Sequence, residues 1–453
     1  MQTMAQSPSE AALATVRRSD ASVRDAKGNI SKLAAAEHMR RAAVYLTNRA
    51  FAEARAHWQS VVDNYPQDPR VPEALFGIGR SYFLSKDYQA GYAVFNDLFQ
   101  KYPATKEGRE ALNFSAASLL RMGRFVESAA RYEEYINKFP NGERIDTAHL
   151  NMIDTLREAN RPSDALVWVT KTRQRFAGSA TETNAMFGAL RLYVAEGDWS
   201  NAIQIADQLL LRNFAKDVDT SRAEVAYLRA FSLEHAGRTE EAYVAYLKIP
   251  DGVDSYYGWL ASQRLPLVNN QPNTVRVDDR IDEVNSAIRK VADQYPAPYR
   301  PAILRVAKAR RLDPRFILAL IRQESVFKPF AKSPAGARGL LQLTMDAAQK
   351  YKAGAGFNSL NESQLYQPDT SIALGAEYLS ELAQMFPGML EPIAASYNGG
   401  EDNVARWLER SKRKDPGVFT AEIGFDETKG YVQKVMSNYR VYCQLYTEDL
   451  IRK

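Results

Sequence analysis

The chain has 453 residues, 45% hydrophobic and 11% aromatic, more than a single core usually serves, so at least two packed units are expected and disordered or fibrous classes are excluded. The formal net charge of +5 falls entirely after residue 299, where 22 Lys/Arg face 17 Asp/Glu, a surplus that suits a solvated face as well as a polyanionic partner. Cys443 is the one cysteine, so no intrachain disulfide can form, and no stretch nears the roughly 20 apolar residues that span a bilayer. Ala, Leu, Arg and Glu outweigh Gly and Pro over long stretches, which favours an all-α chain.

Residues 1–29 form a polar N-terminal segment, expected to be flexible, and lack the apolar run of a secretory signal. A repeat follows. Phe51, Tyr88, Phe125, Pro162 and Trp199 recur every 37 residues, with Thr239 after 40. Three positions after each anchor stands a small residue (Ala54, Gly91, Ser128, Ala165, Ala202, Ala242), as two closely packed antiparallel helices require. Tyr65-Pro66, Tyr102-Pro103 and Phe139-Pro140 share the period, and proline after an aromatic stops a helix. Each unit reads as helix, turn, helix, similar to the tetratricopeptide superfamily. Such pairs cannot bury their faces alone, so about six should stack as a solenoid over residues 30–265, either a concave binding surface or a spacer. Residues 266–279 carry Pro, Asn and Asp without helical period and read as a linker. A connecting helix near 280–294 extends this region to residue 297, and the second domain is expected at 298–453.

That domain opens on a well-marked helix, with Asp313 as N-cap and Pro314 in the first helical position. Glu324 lies seven residues after Ile317, four after Leu320 and three after Ile321, on their apolar stripe. Burial there raises a carboxyl pKa, which suits a general acid. From this helix alone, a structural ion pair with an arginine of another helix is the commoner explanation.

Four blocks then follow in order: Glu324-Ser325, "KSPAGARGLLQLT" from Lys332 to Thr344, "SYNGG" from Ser396 to Gly400, and "FDETKGYV" from Phe425 to Val432. With "SYYGWLASQRL" (Ser255–Leu265) before them, they make the chain resemble the soluble lytic transglycosylases, which pair an α-superhelix with a lysozyme-like, goose-type α-helical catalytic domain. The resemblance implies Glu324 as the catalytic acid/base and Ser333 as a serine hydrogen-bonding near it. It implies Gly339 and Gln342 as cleft-lining residues, Tyr397 as the tyrosine touching the glutamate, Asn398 as its neighbour, and Glu427 as a second acidic residue that binds peptidoglycan. Leu341, Thr344, Met345, Ser396 and Gly399 depart from the family's commonest pattern without removing a proton-carrying group.

In isolation these residues have plainer readings: Ser333 and Gly339 as turn formers, Tyr397 as packing, Asn398 as a helix-ending residue, Glu427 as a solvated charge. The four histidines, His38, His57, His149 and His235, all precede residue 298, leaving no His-activated nucleophile and no ordinary zinc site in the C-terminal domain. No cofactor or metal is expected.

The implied reaction cleaves the β-1,4 bond between N-acetylmuramic acid and N-acetylglucosamine in peptidoglycan, leaving a 1,6-anhydro end. One carboxyl suffices because the substrate supplies both stabiliser and nucleophile. The implied partners are glycan strands, and protein partners for the solenoid, with no nucleic acid, in a periplasmic or cell-envelope setting. The alternatives are a goose-type lysozyme hydrolase, in which water attacks, and a non-catalytic peptidoglycan-binding scaffold.

Overall fold

The computed structural model describes residues 9–22, 32–268 and 275–453. They are helical throughout, with isolated β-bridges in place of strands, and they fall into two compact units, Met1–Ala177 and Gly178–Lys453.

The first unit comprises α1 (Glu10–Ala21), α2 (Ala35–Thr47), α3 (Phe51–Asn64), α4 (Val71–Leu84), α5 (Tyr88–Lys101), α6 (Lys106–Arg121), α7 (Phe125–Lys138), α8 (Ile145–Glu158) and α9 (Pro162–Arg175). The anchors Phe51, Tyr88, Phe125 and Pro162 are each the first residue of a second helix. Ala54, Ser128 and Ala165 behind them are completely buried. The Ser128 hydroxyl donates to the Ala116 carbonyl at 2.8 Å, a contact that a larger side chain would forbid. Two residues before each anchor the backbone turns left-handed, at Arg49, Lys86, Gly123 and Asn160. This single αL residue reverses the chain between the helices of a pair. Tyr65, Tyr102, Phe139 and Phe176 cap the C-termini of the second helices.

The polar N-terminal segment differs from expectation where it is described. Ser9 accepts from the Ala12 amide and starts α1, whose Asp20 is buried against Arg41, Tyr45 and His57. Ionic and hydrogen-bonded anchoring thus orders a segment whose composition alone read as flexible. Residues 1–8 and 23–29 lie outside the described residues.

The second unit continues the helix pairs with α10 (Ala180–Glu196), α11 (Trp199–Leu210), α12 (Arg222–His235), α13 (Thr239–Leu247) and α14 (Tyr256–Val268). Trp199 and Thr239 again begin second helices, preceded by left-handed Gly197 and Gly237. After α15 (Val275–Lys290) come α16 (Arg300–Arg310), α17 (Pro314–Ser325), α18 (Met345–Tyr351), α19 (Pro368–Met385), α20 (Leu390–Gly399), α21 (Glu401–Ser411), α22 (Pro416–Glu422) and α23 (Asp426–Leu445). Much of the expected linker 266–279 is helical: Pro266 lies inside α14 and α15 begins at Val275, while 269–274 lie outside the described residues.

Helices α11–α14 share one apolar core with the C-terminal helices, and buried polar links join them. Tyr227 of α12 donates to Asp415 at 3.0 Å, and Tyr256 of α14 to Glu391 at 3.3 Å. Lys429 of α23 pairs with Glu224 at 3.3 Å, and Arg440 with Asp251 at 2.7 Å. Each carboxylate here is nearly solvent-free, and removing Lys429 or Arg440 would strip a buried carboxylate of an ionic partner, at a cost of about 3–5 kcal/mol.

Candidate active site

Helix α17 is the spine of this site. The Asp313 carboxylate accepts from the Arg315 amide at 2.8 Å, and Phe316 to Ile321 are all buried. Its companion α23 runs antiparallel: Tyr439 donates to Asp313 at 2.8 Å at one end, and Tyr431 donates to Glu324 Oε1 at 2.5 Å at the other. Glu324 sits in the last helical turn, where the negative end of the helix dipole disfavours a carboxylate.

Burial pushes the Glu324 carboxyl up to about 7, against a smaller downward pull from the Tyr431 hydroxyl. Neither a cation nor a second carboxylate figures among the groups acting on it. Arg322, the nearest cation on the same helix, stacks instead on the Tyr295 ring, 3.8 Å from its centroid, and donates to the Gln294 carbonyl. The structural ion pair is therefore absent among the described residues.

Immediately after Ser325 two non-glycine residues adopt left-handed backbone, Val326 (φ 49°) and Phe327 (φ 60°). For a β-branched residue this is a true outlier, costing on the order of 1–3 kcal/mol. It stops the helix one residue past Glu324, opening its C-terminal end.

The chain then forms a tight loop pinned by bridges Lys332↔Arg338 and Arg338↔Leu343. Ser333 Oγ accepts from the Ala337 amide at 3.1 Å. Gly339 donates to Ala331 O at 3.0 Å, and Gln342 Nε2 donates to Ala331 O at 3.0 Å and Gly339 O at 2.8 Å. Only glycine fits at 339, where φ is +79° and a Cβ would stand 2.0 Å from the Leu365 carbonyl oxygen. Leu340, Leu341 and Leu343 anchor the loop in the core.

Tyr397 joins that loop to α20 by donating to Leu341 O at 2.7 Å. It stacks on Tyr378 at 5.2 Å, which stacks on Tyr351 at 4.8 Å. Asn398 Oδ1 accepts from Thr428 Oγ1 at 2.7 Å, tying the end of α20 to the start of α23. Glu427 lies beside Thr428 in the first turn of α23 and is exposed.

Ser333, Gly339 and Gln342 thus share one loop, and Tyr397 holds that loop against α20. Two expected contacts differ. The hydroxyl bonded to Glu324 belongs to Tyr431, because Tyr397 is turned to the Leu341 carbonyl, although the Glu324 charge still opposes its ionisation. The Ser333 hydroxyl accepts from the Ala337 amide inside its own turn. The inward face of Tyr431 was legible, since it shares the stripe of Val435 and Tyr439 at helical spacing, but its pairing with Glu324 was not. Burial keeps Tyr397 and Tyr431 protonated far above neutrality, so both remain hydrogen-bond donors. No cluster of three or more His, Cys, Asp or Glu able to hold a metal occurs among the described residues.

Residues 301–419 match the family model described as transglycosylase SLT domain, and residues 39–104 match one described as tetratricopeptide repeat. The soluble lytic murein transglycosylase of Escherichia coli is 33% identical over 161 residues, 35% of this chain and 24% of that protein. The membrane-bound lytic murein transglycosylase C of Yersinia pestis is 29% identical over 174 residues, 33% of this chain and 49% of that one. The matches therefore span about a quarter and about half of these relatives' lengths. Among solved structures, an inactive glutamate-to-glutamine variant of the lytic transglycosylase Slt from Pseudomonas aeruginosa aligns with TM-score 0.54 at 20% identity, covering 96% of this chain and 84% of that one, a likeness of fold. Residues 301–419 thus carry the features of an SLT domain behind tetratricopeptide repeats, and over its C-terminal third the chain is similar to soluble lytic murein transglycosylases.

Proposed function

We propose that this protein is a peptidoglycan lytic transglycosylase whose single acid/base is Glu324. The observation that carries the reading is a carboxyl poised near neutrality, at the open end of α17, held by one tyrosine and by no counter-ion. A general acid must hold its proton at working pH and still give it up, and a pKa near 7 meets both demands.

In this reading Glu324 protonates the glycosidic oxygen as the C1–O bond breaks, and the substrate's N-acetyl oxygen stabilises C1. The Glu324 carboxylate then accepts the proton of the muramic acid C6 hydroxyl as O6 attacks C1, closing the 1,6-anhydro ring without consuming water. Among the described residues no second carboxylate figures among the groups acting on Glu324, which favours the single-residue scheme over the two-carboxylate arrangement of most glycosidases.

Tyr431 orients Glu324, and the loop of Ser333, Gly339 and Gln342, with Tyr397 behind it, forms one wall for the sugar. Asn398, at the end of α20, and Glu427, in the first turn of α23, are the further sugar contacts in this reading. The catalytic domain is residues 298–453, seated on the last helix pairs, and the setting is the periplasm or cell envelope, where glycan strands are found.

Digesting peptidoglycan in heavy-oxygen water tests the reaction. The expected products end in 1,6-anhydromuramic acid, one water lighter than hydrolysed fragments and free of label. Label in the muramic acid of new chain ends would show that water attacks, making the protein a hydrolase. A folded protein that releases nothing would make it a scaffold.

A further inference from the structure

Lys429 is a buried cation set among the residues that make the site. It stands in the first turn of α23, after Glu427 and Thr428 and two residues before Tyr431. Only 7% of it is exposed, and its surroundings belong to the last helix pairs of the repeat region. Its Nζ lies 3.3 Å from Glu224 Oε1 of α12, donates to the Asp219 carbonyl at 3.1 Å, and sits 5.0 Å from the centroid of the Phe187 ring of α10. Glu224 is buried too, and it is held in place: Tyr257 of α14 donates to Oε1 at 2.9 Å and Thr220 to Oε2 at 2.7 Å. Helices α10, α12 and α14 thus all contribute to the surroundings of one ammonium.

Such a pair is a poor way to gain stability. Taking two charges out of water offsets most of their attraction, and apolar residues of similar volume serve a core as well or better. What the pair adds here is register, since fixed hydrogen-bond partners are satisfied in one position only, while an apolar contact tolerates sliding. Helix α23 needs that register. Its N-cap, Phe425, has no polar side chain to accept from the first-turn amides, whereas α12, α17 and α22 are capped by Ser221, Asp313 and Asp415. Tyr431 lies about 3 Å further along the axis than Lys429, and its hydroxyl meets Glu324 Oε1 at 2.5 Å. A slip of α23 by about 1 Å would carry that contact past the roughly 2.5–3.0 Å of such hydrogen bonds.

We propose that Lys429 is a positioning residue, through which helices α10, α12 and α14 set the register of α23 and with it the contact between Tyr431 and Glu324. This rests on the reading of Glu324 as the acid, and it gives the last helix pairs of the repeat region a part in the reaction. Among the described residues the Tyr431 hydroxyl is what pulls the Glu324 carboxyl down, against the burial that raises it to about 7. Loosening α23 therefore raises it further. Tyr397, another titratable side chain in the field of Glu324, is bonded to the Leu341 carbonyl and does not depend on α23 for that bond.

The full chain, labelled with carbon-13 in its glutamate carboxyls, is titrated by NMR, with Glu324→Gln assigning the signal. Lys429→Met alone strands a buried carboxylate, so the decisive variant is the double Glu224→Gln, Lys429→Met, which removes both charges and keeps acceptors for Tyr257 and Thr220. Its thermal transition should stay close to that of the unaltered chain. The Glu324 titration should nevertheless move to higher pH by about half a pH unit or more, as loss of one hydrogen bond predicts, and the alkaline limb of cleavage should move with it. Glu224→Gln alone, which disturbs the fold least, should move the titration in the same direction by less. An unmoved titration in both variants would make Lys429 a structural filler and overturn the inference, whatever happens to stability. The titration requires no turnover, so failure of this inference and failure of the glycan-cleaving reading are seen separately.

Discussion

Replacing Glu324 by glutamine should abolish turnover and, at alkaline pH, make the protein more stable. The folded-state carboxyl titrates near 7 against 4.5 for an unperturbed group. Between those values the folded chain holds a proton that the unfolded chain has released, so stability falls as pH rises through the window. At about 1.4 kcal/mol per pKa unit, the full deficit is roughly 3 kcal/mol and stands above pH 7. Glutamine keeps the shape and can still accept the Tyr431 hydroxyl, but it never ionises, so the variant escapes the deficit. Denaturant titrations at pH 8 should favour the variant by roughly 3 kcal/mol, and at pH 5 by less than about 1 kcal/mol. Cleavage of peptidoglycan should fall by roughly 10²–10⁴-fold or more, as loss of a general acid predicts. A stability gap independent of pH would mean that Glu324 titrates normally, and wild-type cleavage rates would remove it from the mechanism.

Tyr431→Phe removes the one interaction that holds the Glu324 pKa down, so the alkaline limb of the activity profile should move to higher pH while the maximal rate drops by the loss of about 0.5–1.5 kcal/mol. Tyr397→Phe breaks only the bond to Leu341 O and should slow the reaction without moving that limb or changing the product; a shifted limb would assign Tyr397 a direct role. Gly339→Ala, facing both a left-handed φ and the Leu365 carbonyl, should lower the unfolding free energy by about 2–4 kcal/mol, seen as an early thermal transition. A fragment of residues 178–453 should fold cooperatively, whereas 298–453, stripped of Tyr227, Tyr256, Glu224 and Asp251, should melt at a markedly lower temperature; equal melting of the two would show those buried links to be dispensable.

What the sequence disclosed follows from which forces act locally. The repeat was legible because close helix packing demands a small residue at a fixed distance from each turn, and Ala54, Ser128, Ala165, Ala202 and Ala242 all proved fully buried. The left-handed residue two positions before each anchor was also written there, but only at Gly123, Asn160, Gly197 and Gly237 does residue type announce it. Arg49 and Lys86 adopt the same backbone because the packed helices impose it. Glu324 was legible for the same reason as the core: one helix and its period suffice to aim a side chain inward.

What resisted reading depends on pairs of distant residues. Tyr227 and Asp415, 188 positions apart, help to join the last helix pairs and the C-terminal helices into one unit, and no local pattern specifies which tyrosine meets which acid. The partner of Glu324 posed the same problem. Tyr431 is buried and Tyr397 half-buried, and both lie inward and within the field of the carboxylate. The antiparallel packing of α23 on α17, pinned at its far end by Tyr439 on Asp313, brings Tyr431 to Glu324 and leaves Tyr397 for the Leu341 carbonyl. The acid's protonation state is therefore set by a helix pair whose second anchor lies at the opposite end of α17. Tyr439→Phe, which leaves both Glu324 and Tyr431 in place, should loosen that anchor and broaden the pH profile of cleavage, and an unchanged profile would show that the Tyr431 contact is held by local packing alone.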